Sequence, residues 1–226
     1  VGPSVEEDRL SEAMAQETGL AAPLCRVLVK RGIGAQEASA FLAPTLRDLL
    51  PDPRVLKDMD RATARFLKAV SDNERIAVFA DYDVDGGTSA ALLIDWLRHM
   101  GRQATLYVPD RIDEGYGPND AAMSALASAH DLIICVDCGT LSHEPIAAAV
   151  GADVIVLDHH LGGETLPDAV AVVNPNRQDE SGDLAHLCAA GVVFLMLVDA
   201  NRQLREAGHK GPDLIAMLDL VGLATV

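Results

Sequence analysis

The sequence predicts an α/β fold, with a mostly parallel sheet sandwiched by helices and a helical segment ahead of it. From residue 74 onward, short and continuously apolar runs alternate with amphipathic stretches, as in sheets that are covered on both faces. Before residue 74 the apolar residues recur only at helical spacing, and glycine and proline interrupt them. We therefore divide the chain into an N-terminal helical segment, 1–73, packing on the core, and an α/β domain, 74–226.

The helical segment begins its apolar pattern at Leu10 and Met14. Two further apolar stretches precede a turn-rich connection, and an amphipathic stretch with one apolar stripe follows it. The helices predicted after the first pattern cover 23–30, 35–42 and 57–70.

The α/β domain carries five apolar runs that read as strands, at 76–80, 104–108, 132–136, 154–157 and 169–173. Helices are predicted between and after them, at 88–100, 119–129, 142–150 and 186–206. Thr88 or Ser89 is the expected start of the first of these helices.

The chain is strongly acidic. Its 18 Lys and Arg residues oppose 34 Asp and Glu residues, which gives a formal net charge of −16. Such a chain is a poor general binder of phosphate backbones, so a nucleic-acid role would need a basic path or a metal-neutralised site.

No apolar run approaches the roughly 20 residues that span a bilayer. We expect a soluble cytoplasmic protein with no membrane partner.

Cys135 and Cys138 form a C-x-x-C pattern within an apolar run. On a strand, residues three apart point to opposite faces, so the two thiols are not expected to share a metal. We interpret them as buried structural thiols.

Carboxylates follow three of the predicted strands. In a parallel sheet these strand ends share one edge, where ligands bind at the switch point of the strand order. The edge should gather the residues Asp81, Asp83, Asp85, Asp137, Asp158, His159 and His160.

So many carboxylates in one crevice would repel one another unless cations neutralise them. Carboxylate and imidazole ligands together suit manganese, magnesium or zinc, and two such ions favour displacement at phosphorus. The alternative is that an aspartate caps a helix or turn, which would explain Asp85 or Asp158 alone.

Two other motifs compete for the first cluster. An EF-hand calcium loop fails, because its twelfth position is Leu92 rather than glutamate. A phosphatase of haloacid-dehalogenase type, with Asp83 as the nucleophile of a D-x-D motif, remains the alternative enzyme class.

Six motifs, taken in order, resemble those of the DHH phosphoesterase superfamily, and within it the RecJ-like single-strand-specific DNA exonucleases of bacteria. The motifs are D-Y-D-V-D-G at 81–86, the loop at 108–119, V-D-C-G at 136–139, D-H-H at 158–160, V-V-N-P-N at 172–176 and L-C-A-A-G-V at 187–192. The lead-in motifs K-R-G, F-L-A-P and L-K-D-M also fit.

The resemblance implies a metal-dependent hydrolase that digests single-stranded DNA 5′→3′ to mononucleotides in recombination and repair, using two divalent cations, manganese or magnesium. It implies metal ligands at Asp81, Asp83, Asp85, Asp137 and His159. Asp137, His159 and His160 would be catalytic, with His160 near the scissile phosphate. Asp158 would orient the histidines from behind, and Arg111, Tyr116 and Asn119 would contact the substrate.

The sequence also departs from the family. An Ala-Asp pair, whose aspartate completes the metal site, usually follows the run that here ends at Val226, and Asp219 is a poor substitute. The C-terminal domains of the family's larger enzymes are also missing, so we interpret the chain as an N-terminal portion. This leaves open whether the chain alone binds metal or is active. A catalytically silent DHH scaffold and an enzyme for a small phosphoester remain alternatives.

Overall fold

A computed structural model describes residues 4–226, which divide into two compact units between Pro51 and Asp52. The predicted boundary at 73/74 stays a prediction. Within the described residues, no helix is both long and apolar enough to cross a membrane.

The first unit is helical. It contains α1 (Val5–Thr18), α2 (Ala22–Lys30), α3 (Ala35–Leu42) and the short α4 (Leu46–Leu49). Its small core joins the first three helices through Met14, Cys25, Leu28 and Ala38.

The second unit contains the sheet. Its strands are β1 (Ile76–Ala80), β2 (Ala104–Tyr107), β3 (Leu132–Val136), β4 (Asp153–Leu157) and β5 (Ala171–Val173). Its helices are α5 (Met59–Ser71), α6 (Val84–His99), α7 (Asp120–Ala129), α8 (His143–Ala147), α9 (Ala189–Glu206) and α10 (Leu218–Ala224).

The five strands form one parallel sheet in the order β2-β1-β3-β4-β5. Every residue of β1, β3 and β5 is buried, which agrees with their unbroken apolar sequences. The predicted α/β fold is confirmed. The strand order reverses between β1 and β3, so the crevice beyond their carboxyl ends is the switch point.

Helix α6 begins at Val84, four residues before its predicted start. The Asp83 side chain caps it by accepting a hydrogen bond of 2.9 Å from the Gly86 amide. The predicted start left Gly86 and Gly87 outside the helix, but both lie in its first turn.

The four cysteines are buried and free, as predicted for Cys135 and Cys138. The expectation that these two thiols face opposite sides of the sheet is wrong, since both join one core cluster with Phe79. The strand ends at Val136, and Asp137 then adopts a left-handed backbone conformation (φ 60°) that turns the chain.

Candidate metal centre

The carboxyl ends of β1, β3 and β4 deliver three acidic motifs to the switch point of the sheet. Asp81 follows β1, Asp137 follows β3 and Asp158 follows β4, and all three side chains are buried. The strands are adjacent and in register, so the motifs meet although up to 77 residues separate them in sequence (158 − 81).

Asp81 and Asp83 face Asp137. One carboxylate oxygen from each lies within 4.8 Å of the others. Burial raises the pKa of Asp81, and the neighbouring Asp83 raises it further. The Oδ1 atom of Asp81 is buried without a hydrogen-bond partner among residues 4–226.

Asp85 is held differently. Its two oxygens accept hydrogen bonds from the backbone amides of Ala189 (2.7 Å) and Ala190 (2.8 Å), at the first turn of α9. It therefore ties the start of α6 to the start of α9, and its Oδ2 is 3.6 Å from Nε2 of His159. Its predicted role as a metal ligand stays a prediction.

Asp137 lies at the centre of the cluster. Burial raises its pKa to about 7, the contact with His159 opposes that rise, and the charges of Asp85 and Asp83 add to it. Its Oδ1 finds no hydrogen bond of good geometry in the part of the chain described. A buried carboxylate with an unpaired oxygen is costly unless something positive approaches it.

His159 aims its Nε2 atom at this carboxylate. Nε2 lies 3.3 Å from Oδ1 of Asp137, while Nδ1 lies 3.1 Å from the carbonyl oxygen of Leu187. The interaction with Asp137 raises the pKa of His159 to about 9, against the effect of burial. Without a cation, the imidazolium ring supplies the positive charge nearest to the carboxylates.

Asp158 accepts hydrogen bonds from both histidines and so fixes their positions. Its Oδ1 accepts hydrogen bonds from the amides of His159 (2.7 Å) and His160 (3.2 Å) and from Nδ1 of His160 (2.8 Å). Its Oδ2 accepts from the amide of Thr140 at 3.0 Å. Burial raises the pKa of Asp158, but the hydrogen bonds from His160 and Thr140 outweigh burial and lower it to about 2.

Two asparagines hold the same segment, a role that the sequence analysis did not assign. Asn174 donates to the carbonyl oxygen of His160 and to Thr140, both at 2.8 Å, and Asn176 donates to the carbonyl oxygen of His159. The N-P-N sequence directly after a strand was the available signal, since asparagine often bonds backbone groups at turns.

Tyr116 reaches the site from the loop that follows β2. Its hydroxyl donates to the carbonyl oxygen of Asp137 at 3.1 Å and lies 3.2 Å from Nδ1 of His160. Burial raises the pKa of Tyr116, so the hydroxyl remains a donor.

The other two predicted substrate residues make contacts within the chain. The Arg111 guanidinium carbon lies 5.4 Å from the ring centroid of Tyr82, which belongs to the first acidic motif. Asn119 caps α7 by accepting from the Ala122 amide at 2.9 Å, and its amide group donates to Glu114. Substrate contact by either residue stays a prediction.

The residues present fit hard divalent cations. The donor set is rich in carboxylate oxygen with an imidazole beside it, which suits manganese or magnesium. The unpaired buried oxygens of Asp81 and Asp137 are the observation behind this fit. A second group that could hold an ion combines Asp137 with both histidines, with one atom of each inside 4.8 Å.

Comparison with known protein families places most of this chain in one of them. Residues 75–225 match the model of the DHH family, N-terminal domain. The single-stranded-DNA-specific exonuclease RecJ of Dickeya dadantii is 39% identical over 92% of this chain and 37% of its own length. RecJ of Bacillus subtilis is 33% identical over 98% of this chain and 27% of its own. The chain thus spans about a third of these relatives.

Two solved structures are similar to this one. A crystal structure of exonuclease RecJ bound to manganese is 31% identical, with a TM-score of 0.65 over 75% of this chain and 43% of that one. RecJ from Thermus thermophilus in complex with Mn²⁺ is 27% identical, with a TM-score of 0.73 over 99% of this chain and 30% of that one.

Proposed function

This chain belongs to the DHH family, and from that premise we propose that it provides the catalytic centre of a metal-dependent single-strand DNA exonuclease. The enzyme would hydrolyse phosphodiester bonds 5′→3′ and release mononucleotides, in recombination and repair. The RecJ relatives named above support this substrate class. Since its substrate is DNA, the proposal includes a cytoplasmic location.

One observation carries the proposal: the cluster of Asp81, Asp83 and Asp137 at the switch point, with two buried oxygens unpaired in the described structure. A fold gains nothing from holding like charges together in a desolvated place unless a cation completes the site. The same crevice is where a parallel sheet presents its ligand.

Asp81, Asp83, Asp137 and His159 would hold two divalent cations, with Asp85 as a further candidate. We favour manganese or magnesium, because manganese is the ion named for both similar structures. When bound, such ions supply a water that ionises near neutral pH and a positive charge beside the phosphate.

The residues of the chain would contribute orientation and charge. Asp158 holds His160 by its Nδ1 atom, so the ring presents a fixed edge to the phosphate and could donate a proton to developing negative charge. Tyr116 stands beside His160, and its hydroxyl donates to the carbonyl oxygen of Asp137. The residue is 54% exposed, and its ring would stack on a base.

The test is digestion of a long, 5′-phosphorylated single strand in the presence of manganese, with Asp137→Asn as the control variant. It should be run on the 226-residue chain and on the protein with any sequence that its gene encodes beyond Val226. We expect mononucleotides from the 5′ end with the parent and none with the variant.

The substrate comparison separates the alternatives. If the enzyme hydrolyses only short oligonucleotides or small phosphoesters, its substrate is a small phosphoester and not long single-stranded DNA. Manganese binding without hydrolysis of any phosphoester would favour a silent scaffold. If the protein that extends beyond Val226 binds no manganese, the proposed metal centre is wrong.

A further inference from the structure

The outer edge of the sheet at β5 is closed by side chains instead of a strand. β5 pairs only with β4 among the described strands, and the amide and carbonyl of its middle residue, Val172, point away from that partner. The Val172 amide donates to Oδ2 of Asp58 at 3.3 Å, and its carbonyl accepts from Nη1 of Arg177 at 2.6 Å.

Asp58 and Arg177 also bond each other, because the same Nη1 atom lies 2.8 Å from Oδ2 of Asp58. The other guanidinium nitrogens of Arg177 make two bonds of 2.9 Å to Asp179. The arginine side chain is only 7% exposed, so this is a buried cation held by two carboxylates and a carbonyl.

The local backbone at Asp58 and at Arg177 is constrained around this ion pair. Asp58 has a left-handed conformation (φ 61°), which few residues other than glycine, asparagine and aspartate adopt readily, and it makes no side-chain cap to α5. On the other side, a Cβ at Gly162 would crowd the backbone of Asn176 and Arg177. The 174–177 turn therefore packs directly on the chain that follows the histidines.

This turn is the one that holds the histidine backbone. Asn174 and Asn176 donate to the carbonyls of His160 and His159, and the amide of Gly162 donates to the carbonyl of Asn176 at 3.0 Å. Arg177 follows directly, so fixing its guanidinium fixes the end of the turn.

We propose that Asp58 and Arg177 are positioning residues for the metal centre: they anchor the 174–177 turn, which sets the place of His159 and His160. The inference rests on the proposed function for its metal readout, but its structural readout does not need that function. It assigns a role to the L-K-D-M lead-in motif, which contains Asp58 and lies far from the histidines in sequence.

Arg177→Met removes the guanidinium and keeps an apolar stem. Arg65→Met is the matched control, because the Arg65 side chain is only 12% exposed and also pairs with two carboxylates, Glu74 and Asp153. Asp153 begins β4, whereas the histidines follow its other end, so the control removes a similar ion pair remote from the site.

Two readouts are measured on the 226-residue chain. Hydrogen exchange of peptide 158–163 is followed without metal, and manganese affinity is followed by calorimetry. We expect Arg177→Met to speed exchange in this peptide and to weaken manganese binding about tenfold, as loss of a supporting group does. Arg65→Met should lower the melting temperature and change neither readout.

Two variants of Asp58 test the same proposal if Arg177→Met does not fold. Asp58→Gly removes the carboxylate while allowing the left-handed backbone, and Asp58→Asn keeps an acceptor oxygen. The glycine variant should behave like Arg177→Met and the asparagine variant like the parent.

The proposal is wrong if Arg177→Met and Arg65→Met change hydrogen exchange in peptide 158–163 equally. It is also wrong if exchange in this peptide stays unchanged in both Arg177→Met and Asp58→Gly. Failure to bind manganese by the parent that carries any sequence its gene encodes beyond Val226 would refute the proposed function instead, and the exchange data would still decide the positioning role.

Discussion

The Nδ1 atom of His159 lies 3.1 Å from the carbonyl oxygen of Leu187, and this contact fixes the orientation of the ring. A carbonyl oxygen can only accept, so Nδ1 must carry a proton, and Nε2 is left facing the carboxylates. Metal-binding histidines commonly use their second nitrogen in this way. The ring is thus oriented for an ion by a residue that comes just before α9.

Replacing Asp137 with asparagine should weaken the metal centre and stabilise the empty fold. Asparagine tolerates the left-handed backbone at this position and removes a buried charge that repels Asp83 and Asp85. We expect manganese affinity to fall by about tenfold or more. The free energy of unfolding without metal should rise by about 1 kcal/mol, the low end of the cost of an unpaired buried group.

Calorimetry and urea unfolding measure the two quantities. The control is Asp131→Asn at the other end of β3, where the carboxylate bonds Arg75. That variant should lose stability and keep its manganese affinity. Destabilisation of the metal-free chain by Asp137→Asn would contradict the prediction.

Gly86 and Gly87 should respond oppositely to alanine. A Cβ on Gly86 would overlap the backbone of Asp81, whereas one on Gly87 would meet no described atom within 4 Å. Gly86→Ala should cost about 3 kcal/mol, as overpacking does, and displace the first acidic motif. Gly87→Ala should gain up to about 1 kcal/mol from helix propensity.

Thermal unfolding and manganese titration of the two variants check this pair. Similar stabilities would show that the contact between Gly86 and Asp81 does not constrain the start of α6.

Two variants of Tyr116 should distinguish the effect of base stacking from the effect of hydrogen bonding. Tyr116→Phe keeps the ring and loses the bonds to Asp137 and His160, so kcat should fall while KM for single-stranded DNA stays near that of the parent. Tyr116→Ala should raise KM as well, by about tenfold, because stacking on one base contributes about 1–3 kcal/mol.

Steady-state kinetics on a long single strand give both constants. An unchanged KM in the alanine variant would remove Tyr116 from the substrate-contacting residues.

Acid should weaken one ion pair within a defined pH range. Side-chain and backbone hydrogen bonds from Arg75 lower the pKa of Asp131 to about 2, below the unfolded value near 3.9. The pair therefore stabilises the fold fully above the unfolded pKa, and the contribution is lost as pH falls through the folded pKa.

The measurement is the difference in unfolding free energy between the parent and Asp131→Asn across pH. It should be constant above about pH 5 and shrink between about pH 4 and pH 2. A difference that persists unchanged to about pH 2 would contradict the assigned pairing.

The sequence was informative about the sheet because β1, β3 and β5 are buried along their whole length and are therefore apolar throughout. That pattern placed β1 and β3 at their observed bounds and brought Asp81, Asp83, Asp137 and His159 to one edge. Local motifs sufficed wherever a strand end directly precedes the functional residue.

It was less informative where a side chain bonds backbone far away in sequence. The bonds of Asp85 to the first turn of α9, and of Asn174 and Asn176 to the histidine carbonyls, depend on how distant segments pack. The start of α6 was predicted at Thr88 or Ser89 and was wrong, because the Asp83 side chain caps the helix ahead of Gly86 and Gly87. Asn119 likewise shows a helix cap in a position assigned to substrate.

The side-chain bonds to the amide and carbonyl of Val172 also affect self-association of the chain. An unpaired edge strand with a free amide and carbonyl can recruit a strand from another copy and seed aggregation. In this fold those two groups on β5 are already bonded to a carboxylate and a guanidinium, and a charged pair is a poor surface for an incoming strand. Loss of Arg177 leaves the Val172 carbonyl without this partner while the amide keeps Asp58, so the edge of β5 loses one of its two side-chain bonds.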